Sequence, residues 1–232
     1  MLIGQADGRR GDWAADYLGS GRVDGFILMT YENKKSHVER LLELDAPFSV
    51  WGTCGDLPCC SVASDNRGGG RLAGRHVASL GRKRPGFIGG PADDSEVIAR
   101  REGFIEGLEE TAGRFRPVEA YGDFSQDSGY RAALESLDAS PGLDAVFAAG
   151  DLMAIGAMRA LASRGRRVPD DIAVIGYDDL YVSGFTTPAL TTVSQHIADS
   201  GRTLARSLIA RLERGVVAEA IVPVELVRRE SA

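Results

Sequence analysis

Short apolar, β-branched runs alternate along the chain with longer stretches whose apolar positions recur every three or four residues. This is the pattern of parallel βαβ units. It predicts strands over residues 25–29, 47–51, 60–63, 85–89, 118–121, 145–149, 172–177, 190–193 and 221–226. Helices fill the gaps at 35–44, 70–80, 97–111, 128–137, 152–163 and 197–214, the last with Ile197, Leu204, Leu208 and Leu212 as its apolar positions. Three of the runs stop abruptly at polar side chains: Asp144-Ala-Val-Phe-Ala-Ala-Gly-Asp151, Val168-Pro-Asp-Asp-Ile-Ala-Val-Ile-Gly-Tyr-Asp-Asp179 and Pro188-Ala-Leu-Thr-Thr-Val-Ser-Gln195. In an open α/β sheet such strand ends line the ligand crevice.

Composition narrows the class. With 232 residues, 44% hydrophobic and 26% charged, the chain can bury a sizeable core as one large or two small lobes. No apolar run approaches a bilayer span, and Met1-Leu-Ile-Gly-Gln-Ala-Asp-Gly8 lacks the basic start of a secretory leader, so a cytoplasmic address and no membrane partner are expected. A net charge of −6 argues against this chain by itself gripping a nucleic-acid backbone. The short basic clusters Arg82-Lys-Arg84, Arg164-Gly-Arg-Arg167 and Arg228-Arg229 read as solvated caps at element ends. Cys54, Cys59 and Cys60 share one segment with no histidine beside them, which reads as reduced thiols rather than a zinc site. Arg67-Gly-Gly-Gly-Arg71 matches no phosphate-loop pattern and reads as a turn entering a helix.

Catalysis finds no foothold. His37, His76 and His196 are isolated, no G-x-S-x-G elbow is present, and neither catalytic residues nor a metal nor a cofactor is expected. Polar groups at element ends suit binding instead. Arg100 interrupts the apolar stripe between Val97 and Phe104, so it either reaches back to solvent or points its donor fork into a crevice. Asp178 and Asp179 follow a strand and are either a turn pair or ligand acceptors. Asp151 precedes a helix, as its cap or as a ligand contact. Phe124 is an aromatic in a polar loop, placed to stack on a ring or to pack in the core, and Gln195 could both donate and accept.

Taken in order, these and further pieces resemble one family. They are Arg22-Val-Asp-Gly-Phe-Ile-Leu28, Asp65-Asn66, Leu72-Ala-Gly-Arg-His76 with Leu80-Gly81, Pro85-Gly-Phe-Ile-Gly-Gly-Pro91 and Arg100-Arg-Glu-Gly-Phe104. The run Phe147 to Ala160, the run Val168 to Asp179, Pro188-Ala-Leu-Thr-Thr-Val193 and Glu225-Leu-Val-Arg-Arg-Glu-Ser231 complete the set. The set, which covers essentially the whole chain, resembles the sensor region of the lactose-repressor/galactose-repressor (LacI) group of bacterial transcription regulators.

The resemblance implies an α/β fold of the periplasmic-binding-protein-like type I, with two doubly wound parallel-sheet lobes clamping a small ligand. By order, residues 1–80 and 197–222 would form the first lobe, and 81–196 with 223–232 the second. Arg100, Phe124, Gly150, Asp151, Asp178 and Gln195 would be the ligand-binding residues, Asp178 accepting sugar hydroxyls and Arg100 donating to ring or hydroxyl oxygens. Gly150-Asp151 stands where the family commonly has Asn-Asp, and Thr53 where many relatives carry a basic residue. At the front, Met1–Gly8 resembles the second sensor strand, so the first lobe is expected to lack its first strand and helix, and the DNA-binding headpiece to be absent. The implied function is the effector-binding, homodimerising core of a repressor that answers to a sugar or nucleoside-like molecule and meets DNA only through that headpiece. A sugar-binding component of a transporter is the alternative.

Overall fold

In the computed structural model, which describes residues 12–29, 34–113 and 116–232, the apolar runs are strands and the amphipathic stretches between them are helices. The chain begins with α1 (Trp13–Gly19), β1 (Phe26–Leu28), α2 (Lys34–Glu43), β2 (Phe48–Trp51) and β3 (Cys60–Ser64). There follow α3 (Asn66–Ser79), β4 (Pro85–Gly89), α4 (Ser95–Ala112), β5 (Val118–Tyr121), α5 (Gln126–Ala139), β6 (Ala145–Ala148) and α6 (Asp151–Ser163). Last come β7 (Ala173–Asp178), a 3-10 helix (Tyr181–Phe185), β8 (Thr191–Ser194), α7 (Ile197–Arg214), β9 (Glu219–Val222) and β10 (Glu225–Val227). These elements form two units. One comprises the described residues up to Ala63 with Ala198–Val222, the other Ser64–Ile197 with Pro223–Ala232.

The first unit has a sheet in the order β1-β2-β3-β9, its first three strands parallel. Ala14, Val38, Leu41, Phe48 and Val50 make its core. The helix α1 has only seven residues, too few for a period to show in the sequence. It is held by Asp12, whose carboxylate accepts from Ala15 N at 3.3 Å, and by Trp13, edge-on to Phe26 with ring centroids 5.2 Å apart. The cysteines differ from expectation: the segment between β2 and β3 doubles back so that Cys54 and Cys59 form a disulfide, and only Cys60 is a free, buried thiol. The strand expected at Met1–Gly8 lies outside the described residues.

The second unit is doubly wound. Its sheet runs β10-β8-β7-β6-β4-β5, parallel throughout except for β10, which lies antiparallel to β8. Alternate residues of each central strand face opposite layers. Val146, Ala148 and Val174 pack with Ala133, Met153 and Leu161 of α5 and α6, whereas Phe147, Ile175 and Tyr177 pack with Val77, Phe104 and Leu108 of α3 and α4. Strands buried on both faces read as continuous apolar runs, which is why the sequence reveals them so plainly. Because β5 lies on one side of β4 and β6 on the other, the strand order reverses between β4 and β6, and ligands of open sheets bind at the carboxyl ends beside such a reversal.

Two boundaries depart from the sequence reading. The helix α3, assigned there to the first lobe, belongs to the second unit, because it packs along α4 at glycine-to-backbone distance. A Cβ at Gly70 would overlap the Arg100 carbonyl, and one at Gly103 the Arg67 carbonyl. The glycine run after Arg67 therefore lies inside α3, and its flanks are closed by Arg67, Arg71 and Arg75 paired with Glu102, Glu106 and Glu110. The single strand predicted over 221–226 is two strands in two different sheets, β9 and β10, parted at Pro223, which has no N–H to offer a ladder. Among the described residues no helix is long and apolar enough to cross a membrane.

Candidate functional site

All six residues singled out from the sequence belong to the second unit. Arg100 sits on α4, whose start is fixed by Asp94, a cap accepting from Glu96 N at 2.8 Å and Val97 N at 3.1 Å. One turn in, Arg100 is only 3% exposed, which decides between the two sequence readings: the guanidinium points inward. Its Nη1 donates to the Ala149 carbonyl at 2.6 Å and its Nε to Asn66 Oδ1 at 2.8 Å, while the cation lies 3.8 Å from the centre of the Tyr177 ring.

Asp178 closes β7. Gln195, at the end of β8, donates from Nε2 to Asp178 Oδ1. Burial pushes the Asp178 carboxyl up to about 7, with nearby Asp151 adding to the rise and Arg100 and the Gln195 bond opposing it. Its neighbour Asp179 accepts from Arg229 Nη2 at 2.5 Å, and the same guanidinium reaches the Leu190 carbonyl at 2.8 Å.

The ends of β5 and β6 meet Asp178 at one point. A Cβ placed on Gly150 would stand 3.6 Å from both Asp178 Oδ2 and Phe124 Cδ1, in ordinary contact with each. Gly150 has φ −163°, an extended backbone open to any residue, so neither strain nor overlap demands a glycine there. The Phe124 ring lies directly against Gly90, at the end of β4.

Asp151 is turned the other way. It is fully buried in the first turn of α6, and its carboxylate accepts from Leu180 N at 2.7 Å, Ser183 Oγ at 2.6 Å and Thr192 Oγ1 at 2.5 Å. Burial raises its pKa and these three donors oppose the rise. The group braces the connection from β7 to β8, and the helix cap itself is Gly150, without a side-chain bond.

Backbone strain marks the same strand ends. Among the described residues five non-glycines have positive φ, and four of them are here: Phe124 at 64°, Asp178 at 119°, Asp179 at 58° and His196 at 47°. Such conformations cost about 1–3 kcal/mol each and persist where the surrounding structure over-determines them. The sequence reading missed Ser64, Asn66, Tyr177 and Arg229 as parts of the arrangement. Asn66 stood within a family motif, whereas Ser64 carried no signal. Among the described residues no group of three or more His, Cys, Asp or Glu could hold a metal ion.

Comparison with known proteins gives this geometry a context. Residues 75–232 match a family described as a periplasmic binding protein-like domain. The HTH-type transcriptional regulator CelR of Thermobifida fusca is 38% identical over 215 residues, 91% of this chain but 62% of its own length. The chain thus spans less than two thirds of that relative. A solved complex of a transcriptional regulator CelR with cellobiose superposes with a TM-score of 0.87 at 35% identity, covering 94% of this chain and 68% of that one. A LacI family transcriptional regulator from Enterococcus faecium with bound ribose gives 0.82 at 31%, over 93% and 81% of the two chains. A dimeric Lac repressor with a C-terminal deletion gives 0.83 at 28%, over 94% and 81%.

Proposed function

Because this chain belongs to the LacI family, as its periplasmic-binding-protein-like domain, we propose that it is the effector-sensing core of a transcription regulator, a repressor, that answers to a small sugar. The observation that carries this reading is the meeting of Asp178 Oδ2 and the Phe124 ring at Gly150. A sugar has an apolar C–H face and a rim of hydroxyls. The ring receives the first, and a carboxylate flanked by amide and guanidinium donors receives the second. In this reading Asp178 accepts hydroxyl protons, Arg100 and Gln195 donate, Phe124 stacks and Gly150 leaves room. Asp151 works from behind, holding the connection that follows Asp178.

The cellobiose and ribose of the similar structures support a sugar-like effector, and the regulators among the relatives favour this role over a transporter component. DNA contact belongs, on this reading, to the helix-turn-helix part of a full-length cytoplasmic regulator, since a chain of net charge −6 is poorly suited to gripping a phosphate backbone by itself. Pairing with a second copy is supported by the dimeric relative and by Tyr181 and Phe185, which stack on each other while 86% and 69% exposed. Calorimetry against glucose, ribose, cellobiose, adenosine and hypoxanthine tests the proposal. At least one sugar binds saturably, and Asp178→Ala weakens it tenfold or more, by about 1.4 kcal/mol upward. Absence of saturable binding across the panel would sink it.

A further inference from the structure

The hydrogen bonds that hold Asp178 have a direction, and one hydroxyl proton sets it. Ser64 Oγ lies 2.6 Å from Gln195 Oε1 and 3.3 Å from Asn66 Oδ1. Both are acceptors, and a serine hydroxyl has a single proton to give. Asn66 Oδ1 already receives Arg100 Nε, so the Ser64 proton goes to the nearer Gln195 Oε1. With that oxygen engaged, Gln195 turns its amide nitrogen to Asp178 and donates to Oδ1. A reversed amide would set oxygen against oxygen, tolerable only for a protonated Asp178. Oδ1 is therefore held as an acceptor, while the carboxyl, whose Oδ2 faces Gly150, is also bonded by the Asp151 backbone and offers its remaining lone pairs to a ligand.

We propose that Ser64 is a positioning residue of the effector site: its hydroxyl fixes the orientation of the Gln195 amide and thereby holds Asp178 as a hydroxyl-accepting carboxylate. Ser64 and Gln195 are each 5% exposed, so bulk water does not compete for these bonds. The consequence for effector binding rests on the sugar reading above, but the relay itself does not. The charged and titratable groups around Asp178 are Arg100 on α4, Asp151 on α6, its chain neighbours Tyr177 and Asp179, and Arg229 held at Asp179. Substituting Ser64 leaves the charged groups in place but also removes its bond to the Tyr177 hydroxyl, so Tyr177→Phe is the control: a shift of the Asp178 titration in Ser64→Ala that is absent from Tyr177→Phe reports the relay.

The test uses the ligand-free protein with carboxyl-labelled aspartate, the Asp178 resonance being identified by its loss in Asp178→Asn. Ser64→Ala removes one oxygen and moves the titration midpoint up by about one pH unit, whereas Ser64→Thr, which keeps a hydroxyl, leaves it in place. Gln195→Met removes the donor itself and moves the midpoint at least as far, and adding Ser64→Ala to it moves it no further. A midpoint unmoved by Ser64→Ala, or an effect of Ser64→Ala that persists beside Gln195→Met, overturns the proposal. Cellobiose titrations at pH 7 then show about fivefold weaker binding in Ser64→Ala, recovering as the pH is raised past the new midpoint. If no sugar binds the wild-type protein while the midpoints move as stated, the effector reading falls and the relay stands.

Discussion

Replacing Asp178 by Asn should stabilise the folded chain at neutral pH while removing its effector affinity. In the native structure burial raises the Asp178 carboxyl from 3.8 to about 7. A carboxyl whose folded pKa lies above its unfolded one binds its proton more tightly when folded. Its contribution to stability is complete below pH 4 and is lost as the pH climbs to 7. That rise corresponds to an upper figure of about 4 kcal/mol. Asn fits the site: it tolerates the positive φ of 119° better than most residues and still accepts the Gln195 donor through Oδ1. Urea unfolding of both proteins at half-unit steps from pH 4 to 8 isolates the effect. Glu106, Asp123 and Asp171 are each held near 2 by hydrogen bonds, so they act below this window and are common to both proteins. The stability of the wild type relative to Asp178→Asn should fall by a few kcal/mol between pH 4 and 7 and then level off. A difference that stays constant with pH would refute the reasoning, because the carboxyl would then titrate alike in the folded and unfolded chains.

Asp151→Ala leaves Leu180 N, Ser183 and Thr192 without their acceptor and should destabilise by about 3–5 kcal/mol in urea unfolding. Asp151→Asn should lose only about 1 kcal/mol, since its oxygen can take the Leu180 and Ser183 donors while the Thr192 hydroxyl turns to accept; equal losses would count against that account. Gly103→Ala forces α4 off the Arg67 carbonyl and should lower stability by about 2 kcal/mol or more, whereas Gly201→Ala, with nothing within 4 Å on α7, should raise it by up to about 1 kcal/mol. Thermal melts compare the two directly, and the same sign for both would refute the packing argument. Tyr181→Ser with Phe185→Ser should sediment as a monomer if that stacked pair is the face on which two copies meet.

The strands were legible because each central run is buried on both faces, as in Phe147 and Ala148 or Val174 and Ile175, and such runs need no periodicity to stand out. The helices α4, α6 and α7 announce themselves by length and stripe. What escaped has a physical reason in each instance. Seven residues of α1 hold fewer than two apolar repeats, and Pro223 splits a run whose halves are equally apolar. Arg100, Phe124, Asp178 and Gln195 could be picked out as polar or aromatic breaks at element ends, but the groups that aim them could not. Ser64 meets Gln195 across 131 residues, and Arg229 meets Asp179 across 50. Nothing local distinguishes those side chains from solvated ones. Asp151 is a middle case: the sequence places it at a helix start, while its three donors come from the connection after β7 and from β8.

The distribution of unfavourable features over the second unit separates what the fold needs from what the site needs. At the amino end of the sheet, Asp144 accepts from Lys83 N at 2.7 Å and Arg84 N at 2.9 Å, an ordinary exposed turn with no strained residue. At the carboxyl end stand four non-glycine residues with positive φ, one of which, Asp178, bears a carboxyl whose charged form is disfavoured by burial. At about 1–3 kcal/mol each, the four backbone terms alone match a large part of the 5–15 kcal/mol by which a typical domain is stable. Packing accounts for the Phe124 ring, which lies against Gly90 and both buried clusters, but not for the carboxyl, since a neutral residue at position 178 would remove the charge problem. The close helix pairing at Gly70 and Gly103 and the fully bonded Asp151 supply the rigidity that lets such an arrangement persist. We read an ionisable carboxyl kept in this setting, at the end of the sheet where ligands of open sheets bind, as the mark of the proposed effector site rather than a requirement of the fold.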